Sequence, residues 1–169
     1  MQVAFSLLKI TLFSALLGLF CLGTQAARAD TAPTGWWLDA SGKAGILIAP
    51  CGQQLCGSIE WLRAPLDKAG KPKTDIHNSS AALQSRPLCG LAMLGGFTPD
   101  AGGDGGWQGG WIYDPSTGNT YKSVMHVAPD GTLHVRGYIG IPLLGRSEIM
   151  TRPSAPLTPC TPPAPNPPG

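Results

Sequence analysis

The chain has 169 residues, with 12 basic and 10 acidic side chains, five cysteines, 23 glycines and 17 prolines. A formal charge of +2 provides no basic face for nucleic acid, whose phosphates require one. One apolar run near the start is too short for a membrane span, which needs about 20 residues, and no second one follows.

Residues 1–29 read as a secretory signal peptide: Lys9 lies near the start, residues 10–22 are apolar, and Ala27-Arg28-Ala29 places small residues at both cleavage positions. Cleavage before Asp30 is expected. Phe20 stands before Cys21 where a lipid-anchor motif wants a small residue, so no lipid anchor is expected. Beyond residue 29 remain four cysteines and ten acidic against ten basic side chains. An even cysteine set in an exported chain points to disulfides, which four cysteines can form in three ways. The protein is therefore expected in the periplasm or secreted, without a transmembrane segment.

Residues 30–152 read as a single domain. Eight short apolar or alternating runs follow one another, at 36–39, 44–49, 55–62, 88–94, 107–113, 120–127, 132–139 and 147–152. Turn residues separate most of them, as in Ala40-Ser41-Gly42, Asp114-Pro115-Ser116-Thr117-Gly118 and Pro129-Asp130-Gly131. Connections this short hold no crossover helix, so sequential strands should pair antiparallel in an all-β domain.

Two hairpins yield a register. Pro129-Asp130-Gly131 suits a three-residue loop that sets Ala128 opposite Thr132, His126 opposite His134 and Val124 opposite Arg136. The other face, with Tyr121, Met125, Val127, Leu133, Val135 and Ile139, is the apolar one and should be the core. If Cys51 and Cys56 are cross-strand partners, Ile48 opposes Ile59 and Ile46 opposes Trp61, again on one apolar face.

The long connection at 63–87 interrupts this rhythm and holds Lys68, Lys71, Lys73, Asp75 and Arg86. Asn78 or Ser79 is placed to cap a short helix over residues 80–84, and the whole segment is expected to act as a lid. At the far end, residues 153–169 contain eight prolines in seventeen positions and read as a disordered, extended tail.

Several stretches resemble the exported bacterial family known as domain of unknown function 2147 (DUF2147): Cys51-Gly52-Gln53-Gln54-Leu55-Cys56-Gly57, Gly70-Lys71-Pro72-Lys73-Thr74-Asp75 with Asn78, Arg86-Pro87-Leu88-Cys89-Gly90, Gly109-Gly110-Trp111-Ile112-Tyr113-Asp114-Pro115, Arg136-Gly137-Tyr138, and Thr151-Arg152. That resemblance implies export and a bond between Cys51 and Cys56, and it implies no activity. Cys160 lies outside the family pattern, and Cys89 with Cys160 is a possible second disulfide. A further likeness is to lipocalin-like barrels: Gly35-Trp36-Trp37 opens the first strand in the Gly-x-Trp manner, and Arg152 ends the last. It implies a small up-and-down barrel of about eight strands in which Arg152 packs on Trp37 at the closed end. The alternative is an open or sandwiched sheet crossed by a helix.

Catalytic and metal chemistry find little support. Cys51 and Cys56 are spaced unlike a Cys-x-x-Cys redox pair, and with the cysteines oxidised three histidines remain for a metal. His126 and His134 share a face with Lys122 and Arg136, which would repel a cation. Asp75, His77, Ser79 and Ser80 form the nearest thing to a nucleophile with a base, without a nucleophile elbow. Neither cofactor nor metal is expected, and a weak hydrolase is the third-ranked function. The first is a periplasmic binding module for a small, partly apolar ligand, with Trp61, Tyr121, Met125 and Ile139 as cavity walls and Lys71, Lys73, Asp75 and Arg86 as lid residues meeting a carboxylate or phosphate. The second is an envelope module with a solid core that engages another protein or the cell wall.

Overall fold

In the computed structural model of the chain, residues 32–102 and 105–160 are described. Eight strands follow in order: β1 Gly35–Leu38, β2 Ala44–Cys51, β3 Gln54–Leu62, β4 Ala92–Pro99, β5 Gly106–Asp114, β6 Asn119–Val127, β7 Leu133–Tyr138 and β8 Arg146–Met150. Each pairs antiparallel with the next; the turns between them are too short for a crossover except for the long connection between β3 and β4, across which the pairing is antiparallel as well. The two edges then meet. Leu38 donates to the Thr151 carbonyl at 2.8 Å and accepts from its amide at 3.1 Å, so the sheet curls into a nearly closed barrel.

Alternation points every second side chain inward, and at one end those side chains fill the interior. Trp37, Ile46, Ile48, Phe97, Met125, Leu133, Val135 and Met150 are all buried there. Each such apolar side chain contributes about 1.5–3 kcal/mol on leaving water. The same end is sealed from outside by Arg152, whose guanidinium lies 3.7 Å from the Trp37 ring centre and donates to the carbonyls of Thr34 at 2.8 Å and Trp36 at 3.2 Å. Gly35 leaves the space for it: φ is +97°, and a Cβ there would sit 2.9 Å from an Arg152 nitrogen.

The β6–β7 register is the one expected from the turn, with His126 opposite His134 and their rings 5.0 Å apart. The β2–β3 register differs. Gly52 and Gln53 form a two-residue turn that pairs Cys51 with Gln54, so Ile48 faces Gly57 and Ile46 faces Ile59. A slip of two residues keeps the side chains up to Ile59 on their expected faces, and the Cys51–Cys56 disulfide spans the hairpin diagonally, with 5.8 Å between Cα atoms. At the top of β3 the ladder is irregular between Gly45 and Ile46, leaving Glu60 as an extra residue.

The connection at 63–91 contains no helix of the expected kind, only a 3₁₀ turn at Ala81–Leu83 with no side-chain cap from Ser80. Residues 153–160, expected to belong to a disordered tail, instead lie against the barrel. Leu157 packs over Gly45, the Cys160 amide donates to the Glu60 carbonyl at 2.6 Å, and Cys160 is bonded to Cys89. The signal-peptide reading of residues 1–29, and residues 161–169, lie outside the described residues.

Candidate functional site at the open end of the barrel

The turns after β1, β3, β5 and β7 gather at the end opposite Arg152, and the interior is not filled there. One cleft of about 500 Å³ runs between β5, β6, β7, β8 and the β7–β8 loop, lined by Ile112, Tyr121, Val135, Tyr138 and Leu144 among others. A second, of about 800 Å³, lies under the β1–β2 turn and the long connection, lined by Ala44, Ile46, Ile59, Leu62, Lys73 and Leu88 among others. Met93, Asp114 and Glu148 line both. The walls are mostly aliphatic and aromatic, with a few ionisable groups, which is the usual make-up of a small-molecule site.

Glu148, on β8, is a part-buried carboxyl that lines both clefts. It pairs with Val135 and precedes inward-facing Met150 by two, so its carboxyl points into the barrel. Burial pushes this carboxyl up from its ordinary range; the Ala40 amide, donating at 3.3 Å, works against that, and the charges of Asp39 and Asp114 add to the rise. Burial also raises Asp114, but the hydroxyls and amides of Ser116 and Thr117 prevail and hold it low. The two carboxyls therefore differ: Asp114 caps its turn as an anion, while Glu148 is the one that gains from a donor.

Because its pKa is higher folded than unfolded, Glu148 favours the fold when protonated. Stability from this group is lost as pH rises through the folded value, and recovered as pH falls toward the unfolded value of about 4.3. Glu148→Gln is therefore expected to raise Tm above the wild type at neutral pH, with the two melting curves converging as pH approaches that value. A Tm difference that stays constant with pH would assign the effect to packing instead.

The long connection is tied to the outside of the barrel. Ile112 faces inward, so Tyr113 faces outward, and over it the buried Asp75 receives three donors. The Tyr113 hydroxyl donates at 2.7 and 2.8 Å to the two carboxylate oxygens, Asn78 at 2.9 Å, and Arg86 at 2.8 Å from both Nε and a terminal nitrogen. Burial, then the Asp75 carboxylate, raises the Tyr113 hydroxyl above the usual tyrosine range. Gly118, at φ +74°, allows the connection to press on the β5–β6 turn, since a Cβ there would lie 1.9 Å from the His77 carbonyl oxygen.

These contacts sort the residues singled out in the sequence. Tyr121 lines the first cleft and Lys73 the second; Ile139 lines the first while remaining 75% exposed, because β7 ends at Tyr138. Met125 is buried in the packed end and lines neither cleft. Trp61 is turned out of the interior: the extra residue Glu60 flips the phase of β3, so Trp61 packs outside against Gly45 and Leu62 takes the inner place. Asp75 and Arg86 bind one another on the outer wall, and Lys71 stands exposed on the rim. His77, Ser79 and Ser80 are exposed, and among the described residues no hydrogen bond joins the histidine to either serine. No group of three metal-ligating side chains occurs among the described residues, and no helix there is long and apolar enough to cross a membrane. Met93, Asp114 and Glu148, which line both clefts, are among the site residues not singled out beforehand; counting back by two from Met150 would have found Glu148.

Comparison with known proteins agrees with this geometry. The family described as "Uncharacterized protein conserved in bacteria (DUF2147)" matches residues 35–152. Comparison with curated proteins gives no match. Among solved structures, the chain is similar to protein HP1028 from the human pathogen Helicobacter pylori, described as belonging to the lipocalin family, with a TM-score of 0.59 and 18% sequence identity over 73% of this chain and 84% of that one.

Proposed function

This chain belongs to the bacterial DUF2147 family and folds as a lipocalin-like barrel, and from that premise we propose that it is an exported binding module for a small, partly apolar molecule held in the open end. The observation that carries this reading is the contrast between the two ends of one interior. One end is packed solid around Trp37 and Phe97, while the other keeps clefts of about 500 and 800 Å³ that meet at Met93 and Glu148. An eight-stranded barrel has room either to be filled by its own side chains or to take one small ligand. Export is supported by the two disulfides, which belong to an oxidising compartment such as the periplasm. Within the site, aliphatic walls supply affinity and Glu148 orients a ligand group that donates a hydrogen bond. Lys73 on the rim serves a ligand anion, the part foreseen for the lid cations, whereas Arg86 is already engaged by Asp75.

The test is native mass spectrometry of protein taken directly from a bacterial periplasm, followed by titration with an apolar naphthylamine dye. A retained small molecule, or saturable binding of the dye at one site, is expected. Met93→Trp fills the junction of the clefts and is expected to weaken the dye about tenfold or more, with the fold kept. A clean apo mass together with dye binding that Met93→Trp leaves intact would shift the function to the envelope interaction module with no internal guest.

A further inference from the structure

The loop joining β7 to β8 exposes more apolar surface than any strand of the barrel. Ile139, Leu143 and Leu144 are 75%, 80% and 76% exposed, and Ile141 between them is 54% exposed. Slack in the loop does not account for it. Arg136 donates to the carbonyls of Pro142 at 2.5 Å and Leu143 at 3.0 Å, and to the Ser147 hydroxyl at 2.9 Å. A 3₁₀ turn at Pro142–Leu144 follows, and Gly145 fits so closely that a Cβ would lie 2.5 Å from the Gly137 carbonyl oxygen. The backbone is thus drawn down onto β7 by one guanidinium, and the aliphatic side chains are held outward. Across the mouth, the long connection exposes Leu66 and Ile76, at 50% and 62%.

Cations share this end of the barrel. Lys43, Arg63, Lys68, Lys71, Lys73 and Arg146 are all exposed at this end. The acidic groups here are Asp39, Asp67 and Asp114, whose oxygens cap their own turns, the inward-pointing Glu148, and Glu60, which accepts from the Ser58 hydroxyl. The side-chain carboxyl oxygens of Asp39, Asp67, Asp114 and Glu60 are taken up by hydrogen bonds within the protein and Glu148 points inward, so the exposed charges free to meet a partner at this end are the cations.

We propose that the open end of the barrel docks on an anionic lipid surface, with Ile141, Leu143 and Leu144 entering the headgroup boundary and the rim lysines meeting lipid phosphates. The charge complementarity selects this occupant: an apolar tip of branched aliphatics with exposed lysines and arginines on the same rim is the pattern of interfacial insertion into anionic bilayers. Protein interfaces instead concentrate tryptophan, tyrosine and arginine at their centre, and the apolar tip contains none of these. Docking of this kind would turn the clefts toward the bilayer, although it does not depend on their holding a ligand.

The experiment is vesicle flotation with periplasm-purified protein whose N-terminus has been read by mass spectrometry, so that the apolar run at 10–22 contributes nothing. Vesicles of phosphatidylcholine alone are compared with an equal mixture of phosphatidylcholine and phosphatidylglycerol. The wild type is expected to float with the anionic vesicles, to stay behind with the neutral ones, and to be released by molar salt, where screening contracts to about 3 Å. The double variant Leu143→Asp/Leu144→Asp is expected to lose about tenfold or more in partitioning, and Lys71→Glu/Lys73→Glu about as much. All four positions are exposed, so Tm and near-ultraviolet circular dichroism should be unchanged; Ile141→Asp serves if the leucine pair disturbs the turn. Met93→Trp should float like the wild type, which separates this result from failure of the ligand reading. Wild-type protein that ignores anionic vesicles at low salt, or leucine and lysine variants that float unchanged, would overturn the proposal and leave the apolar loop to a protein partner.

Discussion

Asp75→Ala is expected to lower stability by about 3 kcal/mol, read as a shift of the urea midpoint at constant slope. The carboxylate is fully buried and is the common acceptor for Tyr113, Asn78 and Arg86. Without it, the Asn78 amide still donates to the Tyr113 oxygen at 2.9 Å, but the Tyr113 O–H loses its acceptor and the guanidinium its counter-charge. The Arg86 side chain is 35% exposed and can turn to water, which holds the cost near the lower end of the range for a broken buried pair. Tyr113→Phe removes one donor and leaves the ion pair, so about 1 kcal/mol is expected. The readout that identifies the mechanism is hydrogen exchange. Amides hydrogen-bonded within the long connection, such as Asp75 to the Arg86 carbonyl and Leu88 to the Lys73 carbonyl, should lose protection, while those of β6 and β7 should not. An Asp75→Ala protein with wild-type stability would mean that this cluster does not hold the connection in place.

Removal of the Cys89–Cys160 bond by the double variant Cys89→Ser/Cys160→Ser is expected to cost about 4 kcal/mol in the chain-entropy view, because the bond closes a loop with a sequence separation of 71. The Cys51–Cys56 bond, with a separation of 5, constrains a hairpin that its own turn already closes, and its loss should cost about half as much. Thermal unfolding with each pair replaced separately gives the comparison. The long-range bond has a second role: it fixes residues 153–160 along the outer face, with Leu157 over Gly45 and the Cys160 amide on the Glu60 carbonyl. Proteolysis between Arg152 and Cys160 should therefore be slow in the oxidised protein and rapid once Cys160 is replaced. Equal cleavage in both forms would show that the tail is held by something other than the disulfide.

Much of the barrel was legible because its signals are local. Period-two alternation marked seven strands to within two residues, while the fourth, expected at 88–94, runs instead over Ala92–Pro99; Pro129-Asp130-Gly131 set His126 against His134, and the likeness of Gly35-Trp36-Trp37 with Arg152 to lipocalin-like barrels pointed to the closed end. Alternation and the turn depend on neighbours along the chain and act through backbone geometry, whereas Arg152 acts through its side chain on a tryptophan from the other end of the domain. The candidate site was legible only in part. Tyr121 and Lys73 line the clefts, whereas Trp61 was reversed by one extra residue at Glu60, which alternation alone does not reveal.

What the amino-acid order determined by itself is the all-β, sequentially paired architecture and which face of β6 and β7 is apolar, since both follow from side-chain period and turn chemistry. Only the tertiary structure decided which half of that interior is filled, that Arg86 meets Asp75 on the outer wall, and that Glu148 faces the clefts with an upward-shifted carboxyl. Each of these depends on groups brought together from distant strands, where volume, desolvation and charge pairing are set by closure of the sheet and not by any run of consecutive residues.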